Sequence, residues 1–192
     1  SVTAASDVEV QNRNDPLQGS VAIVGTPNQG SVLSVNSSEL SDIDGLGTFA
    51  FQWFSDGVAI DGETNSSIML MQSEVDKAIS VSISYIDDFG AFETVTSAEL
   101  SKIINVNDDP IGSVIINGTA KEDQVLSIDV SGLSDPDGLG AFSYQWIRDG
   151  SAVEGARNET YTLEQADVGS ELSARVSYSD GFGFAESVIS AG

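Results

Sequence analysis

The sequence repeats itself, and this duplication constrains the fold more than any other feature. A shift of about 93 residues aligns Gly19–Glu99 with Gly112–Gly192 without a gap, and close to half of the aligned positions are identical. Trp53 is matched with Trp146 in this alignment. Two halves that share so much sequence must adopt one architecture. The sequence therefore predicts two tandem domains of roughly 90 residues each.

The repeat also predicts where the domains begin and end. We expect a first repeat at 11–104 and a second at 105–192, each starting near a proline-containing linker. Val2–Ala5 resembles Val95–Ala98, the end of the first repeat, at the same spacing. We therefore interpret residues 1–10 as the last strand of a further repeat upstream.

Within each repeat, apolar residues alternate with polar ones over short segments, which is typical of strands with one buried face. The alternating positions are Leu33, Val35, Phe49, Phe51, Trp53, Ile68, Leu70, Ile79, Val81, Ile83 and Tyr85 in the first repeat, with Leu126, Ile128, Phe142, Tyr144, Trp146, Tyr161, Leu163, Leu172, Ala174, Val176 and Tyr178 in the second. Asp56-Gly57 and Asp149-Gly150 predict hairpin turns. Segments 72–77 and 165–170 predict single helical turns. The fold class predicted is all-β, a sandwich in each repeat.

The chain is strongly acidic. It has 30 Asp and Glu against 7 Lys and Arg, a net charge of −23, and neither Cys nor His. This charge disfavours nucleic acid and anionic membranes as partners and favours cations. The missing residue types exclude disulfides, thiol nucleophiles, imidazole bases and Ser-His-Asp triads. No apolar run is long enough to insert in a membrane. Because these catalytic groups are missing, we expect a protein without enzymatic activity.

One acidic loop occurs in both repeats, Ser41–Gly47 and again 134–140. Asp42 and Asp44 are one residue apart and are followed by two glycines, so their carboxylates can converge on one point. Converging carboxylates favour a hard divalent cation, and calcium is the simplest candidate. An EF-hand requires Glu at the twelfth position, where Trp53 stands instead. An acidic, solvated turn is the alternative reading of the same residues.

Several segments together resemble a known family. Trp53–Gly57, Trp146–Gly150 and Asp167–Gly169 look like parts of immunoglobulin-like domains, whose core Trp lies on strand C. Asn105–Pro110 is similar to the linkers of cadherin-like domains. The combination resembles the tandem calcium-binding repeats of large bacterial surface adhesins of the repeats-in-toxin type. The resemblance implies two immunoglobulin-like antiparallel β-sandwiches arranged end to end, located outside the cell at the bacterial surface.

The resemblance also implies a set of calcium ligands. In an immunoglobulin-like fold, the loop before strand C and the loop after strand F share one end of the sandwich, where the chain also enters. The implied ligands are Asp15, Asp42, Asp44, Asp87 and Glu93 in the first repeat, and Asp108, Asp109, Asp135, Asp137, Asp180 and Glu186 in the second.

The function expected from these observations is mechanical. Calcium and the neighbouring repeats of the same chain are the expected partners, and the repeats would serve as rigid spacers in an adhesin used for cell adhesion or biofilm formation. Two alternatives remain open: a calcium-dependent module that binds carbohydrate or peptide, using Phe89, Phe92, Phe182 or Phe184, and an accessory domain of a secreted enzyme.

Overall fold

A computed structural model describes residues 9–192 and is all-β, with four antiparallel sheets. Most of the predicted upstream strand, residues 1–8, lies outside the described residues. The chain divides into two compact units between Val106 and Asn107. The division falls two residues beyond the predicted boundary, where the Val106 backbone N–H donates to Gln29 Oε1 of the first unit at 3.1 Å.

The first unit contains two sheets, one of three strands and one of four. Their strands are β1 Ala22–Val24, β2 Val32–Asn36, β3 Ala50–Ser55, β4 Val58–Ala59, β5 Ser67–Met69, β6 Ile79–Ile86 and β7 Phe92–Thr96, with a 3₁₀ turn at Gln72–Glu74. The strand orders are β1-β2-β5 and β4-β3-β6-β7. With the buried Trp53 on β3 beside β6, the second sheet has the strand order of the C′-C-F-G sheet of an immunoglobulin-like domain.

The second unit repeats this arrangement. Its strands are β8 Ile115–Asn117, β9 Val125–Asp129, β10 Ser143–Arg148, β11 Ser151–Ala152, β12 Thr160–Thr162, β13 Leu172–Ser179 and β14 Ala185–Ile189, with a 3₁₀ turn at Gln165–Asp167. The strand orders are β12-β9-β8 and β11-β10-β13-β14. Both 3₁₀ turns lie where the sequence predicted helical turns.

Each unit has one hydrophobic core to which both of its sheets contribute. In the first unit, Leu33 and Ile68 from the three-stranded sheet meet Trp53 and Val81 from the four-stranded sheet, all buried. The Trp53 indole N–H donates to the Asn65 carbonyl at 2.9 Å, so its polar atom is satisfied in the core. The second unit buries the equivalent cluster around Trp146. The predicted sandwich is confirmed in both units.

The predicted hairpin turns are also confirmed. Asp56 and Gly57 join β3 to β4 with positive φ angles of 47° and 76°, and Asp149 and Gly150 join β10 to β11 with 47° and 77°. Two consecutive positive φ angles are typical of the type I′ turn, which matches the twist of a two-residue hairpin.

The strand pairing decides which loops meet. β3 and β6 are antiparallel neighbours, and Ala50 at the start of β3 lies opposite Ser84 near the end of β6. The loop before β3 and the loop after β6 therefore lie side by side. In the second unit Ser143 lies opposite Ser177, which brings the equivalent loops together. No helix in the described part of the chain is long and apolar enough to cross a membrane.

Candidate cation site at the acidic loops

Two acidic loops meet in the first unit. The first runs between β2 and β3 and contains Asp42 and Asp44, and the second runs between β6 and β7 and contains Asp87. The Asp88 backbone N–H donates to the Asp44 carbonyl at 3.1 Å, which joins the two loops directly. Asp44 and Asp87 are buried, at 4% and 5% exposure. The two loops therefore lie against each other and each contributes a buried acid, as the resemblance to immunoglobulin-like domains implied.

The carboxylates of the first loop accept specific hydrogen bonds. The Asp44 backbone N–H donates to Asp42 Oδ1 at 2.9 Å, and the Tyr85 hydroxyl donates to Asp42 Oδ2 at 2.6 Å. The Asp15 backbone N–H donates to Asp44 Oδ2 at 2.7 Å. This last bond ties the segment that enters the unit to the acidic loop.

Only one of the two carboxylate oxygens of Asp87 has hydrogen-bond partners. Its Oδ1 accepts the backbone N–H groups of Phe89 and Ala91 at 2.9 and 2.8 Å, which fixes the turn between β6 and β7. Its Oδ2 is buried and has no hydrogen-bond partner. A buried carboxylate oxygen without a partner is costly, because it has lost its hydration and gained nothing in return. This oxygen is therefore the atom of the site that needs an explanation.

The second unit reproduces the arrangement almost atom for atom. Asp137 N–H donates to Asp135 Oδ1 at 2.8 Å, and the Tyr178 hydroxyl donates to Asp135 Oδ2 at 2.5 Å. Asp180 Oδ1 accepts two backbone N–H groups at 2.9 and 2.8 Å. Asp180 Oδ2 is again buried without a hydrogen-bond partner. The unsatisfied oxygen thus belongs to the repeat rather than to one loop.

Glu93 and Glu186 lie on the strand that follows the second acidic loop. Each is partly buried and accepts a hydrogen bond at 2.8 Å from the side-chain amide of an asparagine in the segment entering its unit, Asn14 and Asn107 respectively. The structure therefore brings both glutamates to the predicted end of the sandwich. Each entering segment is fastened at two points, by its asparagine side chain and by the following backbone N–H.

The linker acids occupy different places than the sequence indicated. Asp108, and not Asp109, is equivalent to Asp15, because its backbone N–H donates to Asp137 Oδ2 at 2.8 Å. Gln18 and Ile111 pair with Ser41 and Ser134 in the same way, so the shift of 93 residues holds through both linkers. Asp109 therefore stands where the first repeat has Pro16, and its side chain is exposed. The Asp15 side chain is exposed as well, and its contact with Asp44 comes from the backbone N–H.

The acids act together on one tyrosine. Burial, the hydrogen bond to Asp42 and the negative charges of Asp42, Glu93 and Asp87 raise the pKa of Tyr85 far above its ordinary value of 10. Burial and the equivalent acids of the second unit raise the pKa of Tyr178 in the same way. The tyrosine hydroxyl therefore remains a proton donor and stands among three carboxylates.

The two tyrosines and the two asparagines are site residues that sequence reasoning missed. Tyr85 and Tyr178 are matched in the repeat, but their alternation indicated only a core position. Asn14 and Asn107 are also 93 residues apart, but both precede the glycines at which the alignment of the repeats begins. For the tyrosines and the asparagines alike, the sequence shows the residue type, whereas the carboxylate that each side chain bonds to depends on the geometry of the loops.

Glycines of the first loop allow the close approach. Gly45 and Gly138 have φ angles of 98° and 94°, a region that residues with a Cβ rarely adopt. Gly47 and Gly140 lie against the last residues of β6 and β13, where a Cβ would overlap a backbone carbonyl oxygen. The glycines predicted to supply the turn therefore also let the first loop lie against the neighbouring strand.

Within residues 9–192, no group of three or more Asp, Glu, His or Cys side chains is arranged to hold a metal ion as it stands. The acids are close to one another, yet most of their oxygens already accept hydrogen bonds. Each site therefore offers one buried carboxylate oxygen without a hydrogen-bond partner, with further carboxylates nearby.

No protein-family model matches this chain. The chain is similar to the highly immunogenic outer capsid protein of Enterobacteria phage T4, with 27% identity over 193 residues. The alignment covers 92% of this chain and 48% of that protein, so the chain spans about half the length of the curated relative it matches.

Proposed function

We propose that this chain is a pair of spacer repeats from a protein displayed outside the cell, each repeat stiffened by calcium bound at its acidic loops. The observation that carries the proposal is the buried carboxylate oxygen without a partner, Asp87 Oδ2 and Asp180 Oδ2, present in both units. A divalent cation satisfies such an oxygen and also neutralises the acids around it.

The donor set fits calcium by its chemistry. Calcium takes 6–8 oxygen ligands from carboxylates, backbone carbonyls and water, and tolerates irregular geometry. Asp44 and Asp87 would hold the ion in the first unit, and Asp137 and Asp180 in the second. Since no ready cage of three carboxylates is present in residues 9–192, binding requires the acidic side chains to rearrange and the backbone and water to complete the shell.

A mechanical role follows from what the site is fastened to. The segment entering each unit donates its asparagine side chain to Glu93 or Glu186 and a backbone N–H to Asp44 or Asp137. An ion that orders these acids also orders the segment between repeats. Extracellular calcium modules bind at roughly 10⁻⁴ to 10⁻³ M, so the chain should stiffen outside a cell and relax inside one.

The similarity to an outer capsid protein supports the idea of a structural protein on an exposed surface. The resemblance to adhesin repeats favours a bacterial cell surface and a role in adhesion or biofilm formation. The phage similarity favours the surface of a virus particle as the second location. Calcium-stiffened spacer repeats suit both locations, because in each case they would hold a distal part of the protein away from the surface of the cell or of the virus particle.

A recognition module is the second candidate, favoured by aromatic side chains beside the acidic loops. Phe89 and Phe92 are 66% and 68% exposed, and Phe182 and Phe184 are 40% and 44% exposed. Exposed aromatics next to a cation are suited to sugar or peptide binding. A glycan or peptide that binds in calcium and is released by a chelator would support this candidate over a spacer.

Small-angle scattering of the whole chain tests the spacer proposal. Titration with calcium should increase the radius of gyration or sharpen the distance distribution in the millimolar range, and a chelator should reverse the change. The double variant Asp87→Asn with Asp180→Asn should lose this response. The control Asp61→Asn with Glu154→Gln removes the same number of charges at exposed positions and should keep it. A wild-type profile that is the same with calcium and with chelator contradicts the proposal.

A further inference from the structure

The first unit is closed at one edge by a short segment that follows β7. Leu100 bridges Ile79 in antiparallel fashion, and Ile103 and Ile104 form parallel bridges. Ile103 is 1% exposed and belongs to the core, and Leu100 packs against it. The segment Leu100–Ile104 therefore completes the core of the first unit.

Backbone hydrogen bonds hold this segment in place. There are five of them, between 2.8 and 3.0 Å, and their partners on the body of the unit are Pro27, Gln29, Asp76, Lys77 and Ile79. Such a pattern is strand addition, in which the backbone supplies the affinity and alternate side chains supply the specificity.

The second unit has an open groove at the same edge. Gly192 is the counterpart of Glu99, so residues 9–192 contain no counterpart of Leu100–Ile104 for the second unit. The groove has a volume of about 1020 Å³. Val168, which lines it, is 59% exposed, whereas its counterpart Val75 in the first unit is 8% exposed.

The groove presents the same docking groups as the first unit. The residues equivalent to the five hydrogen-bonding partners all line it, namely Ala120, Glu122, Gly169, Ser170 and Leu172. Its apolar floor includes Leu126, Leu163 and Val188, which belong to the core of the second unit or pack against it. The backbone groups and the apolar floor that receive Leu100–Ile104 in one unit are thus both present in the other.

We propose that this groove binds an extended apolar peptide segment by strand addition, and that the segment follows the pattern Leu-x-x-Ile-Ile seen in Leu100–Ile104. The fourth residue covers Val168 and the fifth bonds to the backbone on either side of Lys121. Glu122, Glu164 and Glu171 at the groove favour a basic residue at the third position, where the first unit has Lys102. This inference concerns a different part of the fold from the acidic loops and does not depend on calcium.

The proposal is tested by supplying the segment. The sequence Leu-Ser-Lys-Ile-Ile-Asn-Val of residues 100–106 is fused directly after Gly192 in the whole chain, which raises its effective concentration at the groove. A control fusion carries Asp in place of both isoleucines and has the same length. Backbone amide resonances and hydrogen exchange are then compared between the two fusions and the unmodified chain.

The expected result is a set of chemical-shift changes confined to groove residues, together with amide exchange at Gly169 and Glu122 that is slower by about tenfold or more. The control fusion should leave both measurements as in the unmodified chain. Shifts that are absent, or that fall outside the groove, overturn the proposal, and so does equal protection by the control fusion.

A second readout guards against an affinity due to the fusion alone. A free peptide spanning residues 98–106 is titrated into the unmodified chain and should shift the same amide resonances saturably. The peptide carrying Ile103→Asp should not. Equal binding of both peptides shows nonspecific adhesion and contradicts the proposal.

Discussion

Replacing Asp180 by Asn should change the stability of the second unit in opposite directions with and without calcium. Asn keeps an oxygen for the backbone N–H groups of Phe182 and Phe184, which Asp180 Oδ1 accepts at 2.9 and 2.8 Å. It replaces the buried, unpartnered Oδ2 by an N–H₂ group that can donate to nearby carboxylates such as Asp135 and Glu186. The substitution therefore preserves the turn and removes one buried charge.

The expected changes in the free energy of unfolding depend on whether Asp180 Oδ2 lacks a partner or binds calcium. Leaving a buried acceptor unsatisfied costs about 1–3 kcal/mol, so in chelator the free energy of unfolding of Asp180→Asn should be about 1 kcal/mol or more above wild type. Calcium at about 100 times its Kd stabilises the wild type by roughly 2.7 kcal/mol. The variant should lose most of this gain, so the order of stabilities reverses.

Hydrogen exchange of residues 107–192 in rising urea measures this unit separately from the first. The comparison is made in calcium and in chelator at equal ionic strength, with Glu154→Gln as the control that removes an exposed charge. A variant that is less stable than wild type in chelator, and that gains as much as wild type from calcium, would refute the reasoning.

Three further substitutions test the local structure of the second unit, and urea unfolding measures each. Tyr178→Phe should lower the free energy of unfolding by about 1.5–3 kcal/mol, because it removes the hydrogen bond to the ionised Asp135; an unchanged stability would contradict that role. Gly140→Ala should lower the free energy of unfolding by about 1–3 kcal/mol, because its Cβ would overlap a carbonyl oxygen of β13. The control Gly132→Ala should be tolerated, because its Cβ would lie 3.6 Å from the nearest atom. Equal losses in the two variants would count against the close approach at Gly140. Burial raises the pKa of Asp167, but hydrogen bonds from the Glu164 backbone, Arg148 and Tyr161 outweigh it and leave the pKa below 3.8. The stability that the ionised group contributes is therefore present above about pH 4 and is lost as pH falls through the folded pKa. Asp167→Asn should remove this loss, and a variant whose stability falls at acid pH as much as that of the wild type would disprove the reasoning.

Much of the fold could be predicted because the repeat and the alternation act locally. Trp53 and Trp146 occur at matching places in alternating segments, and both lie at the centre of a sandwich core. The Asp-Gly pairs fixed the hairpins for the same local reason, since few residues adopt a type I′ turn. These predictions needed no knowledge of contacts distant in sequence.

The candidate site was predictable as a neighbourhood but not as a set of bonds. That Asp42, Asp44 and Asp87 share one end of the sandwich followed from the fold. That Asp44 accepts a backbone N–H from Asp15 could not be read from the sequence, because it depends on the path of the entering chain. The role of Tyr85 was hidden because a buried hydroxyl at a strand end looks like an ordinary core position.

The role of residues 100–104 was hidden for a related reason. Ile103 and Ile104 belong to no predicted strand and were assigned to the end of the first repeat. Their parallel bridges join Ile103 to Val75 and Ile104 to Asn28, far apart in the chain, and such bridges leave no periodic pattern in the sequence. Only the comparison of the two units shows that this segment completes a core.

Counting calcium ions on the intact chain tests the central claim most directly. Native mass spectrometry at increasing free calcium should show discrete adducts that saturate, with binding lost at one unit in Asp87→Asn, at the other in Asp180→Asn, and at both in the double variant. Magnesium at the same concentration should not reproduce the pattern. A wild-type chain that remains free of bound calcium at several millimolar, or a double variant that binds as many ions as the wild type, would contradict the account.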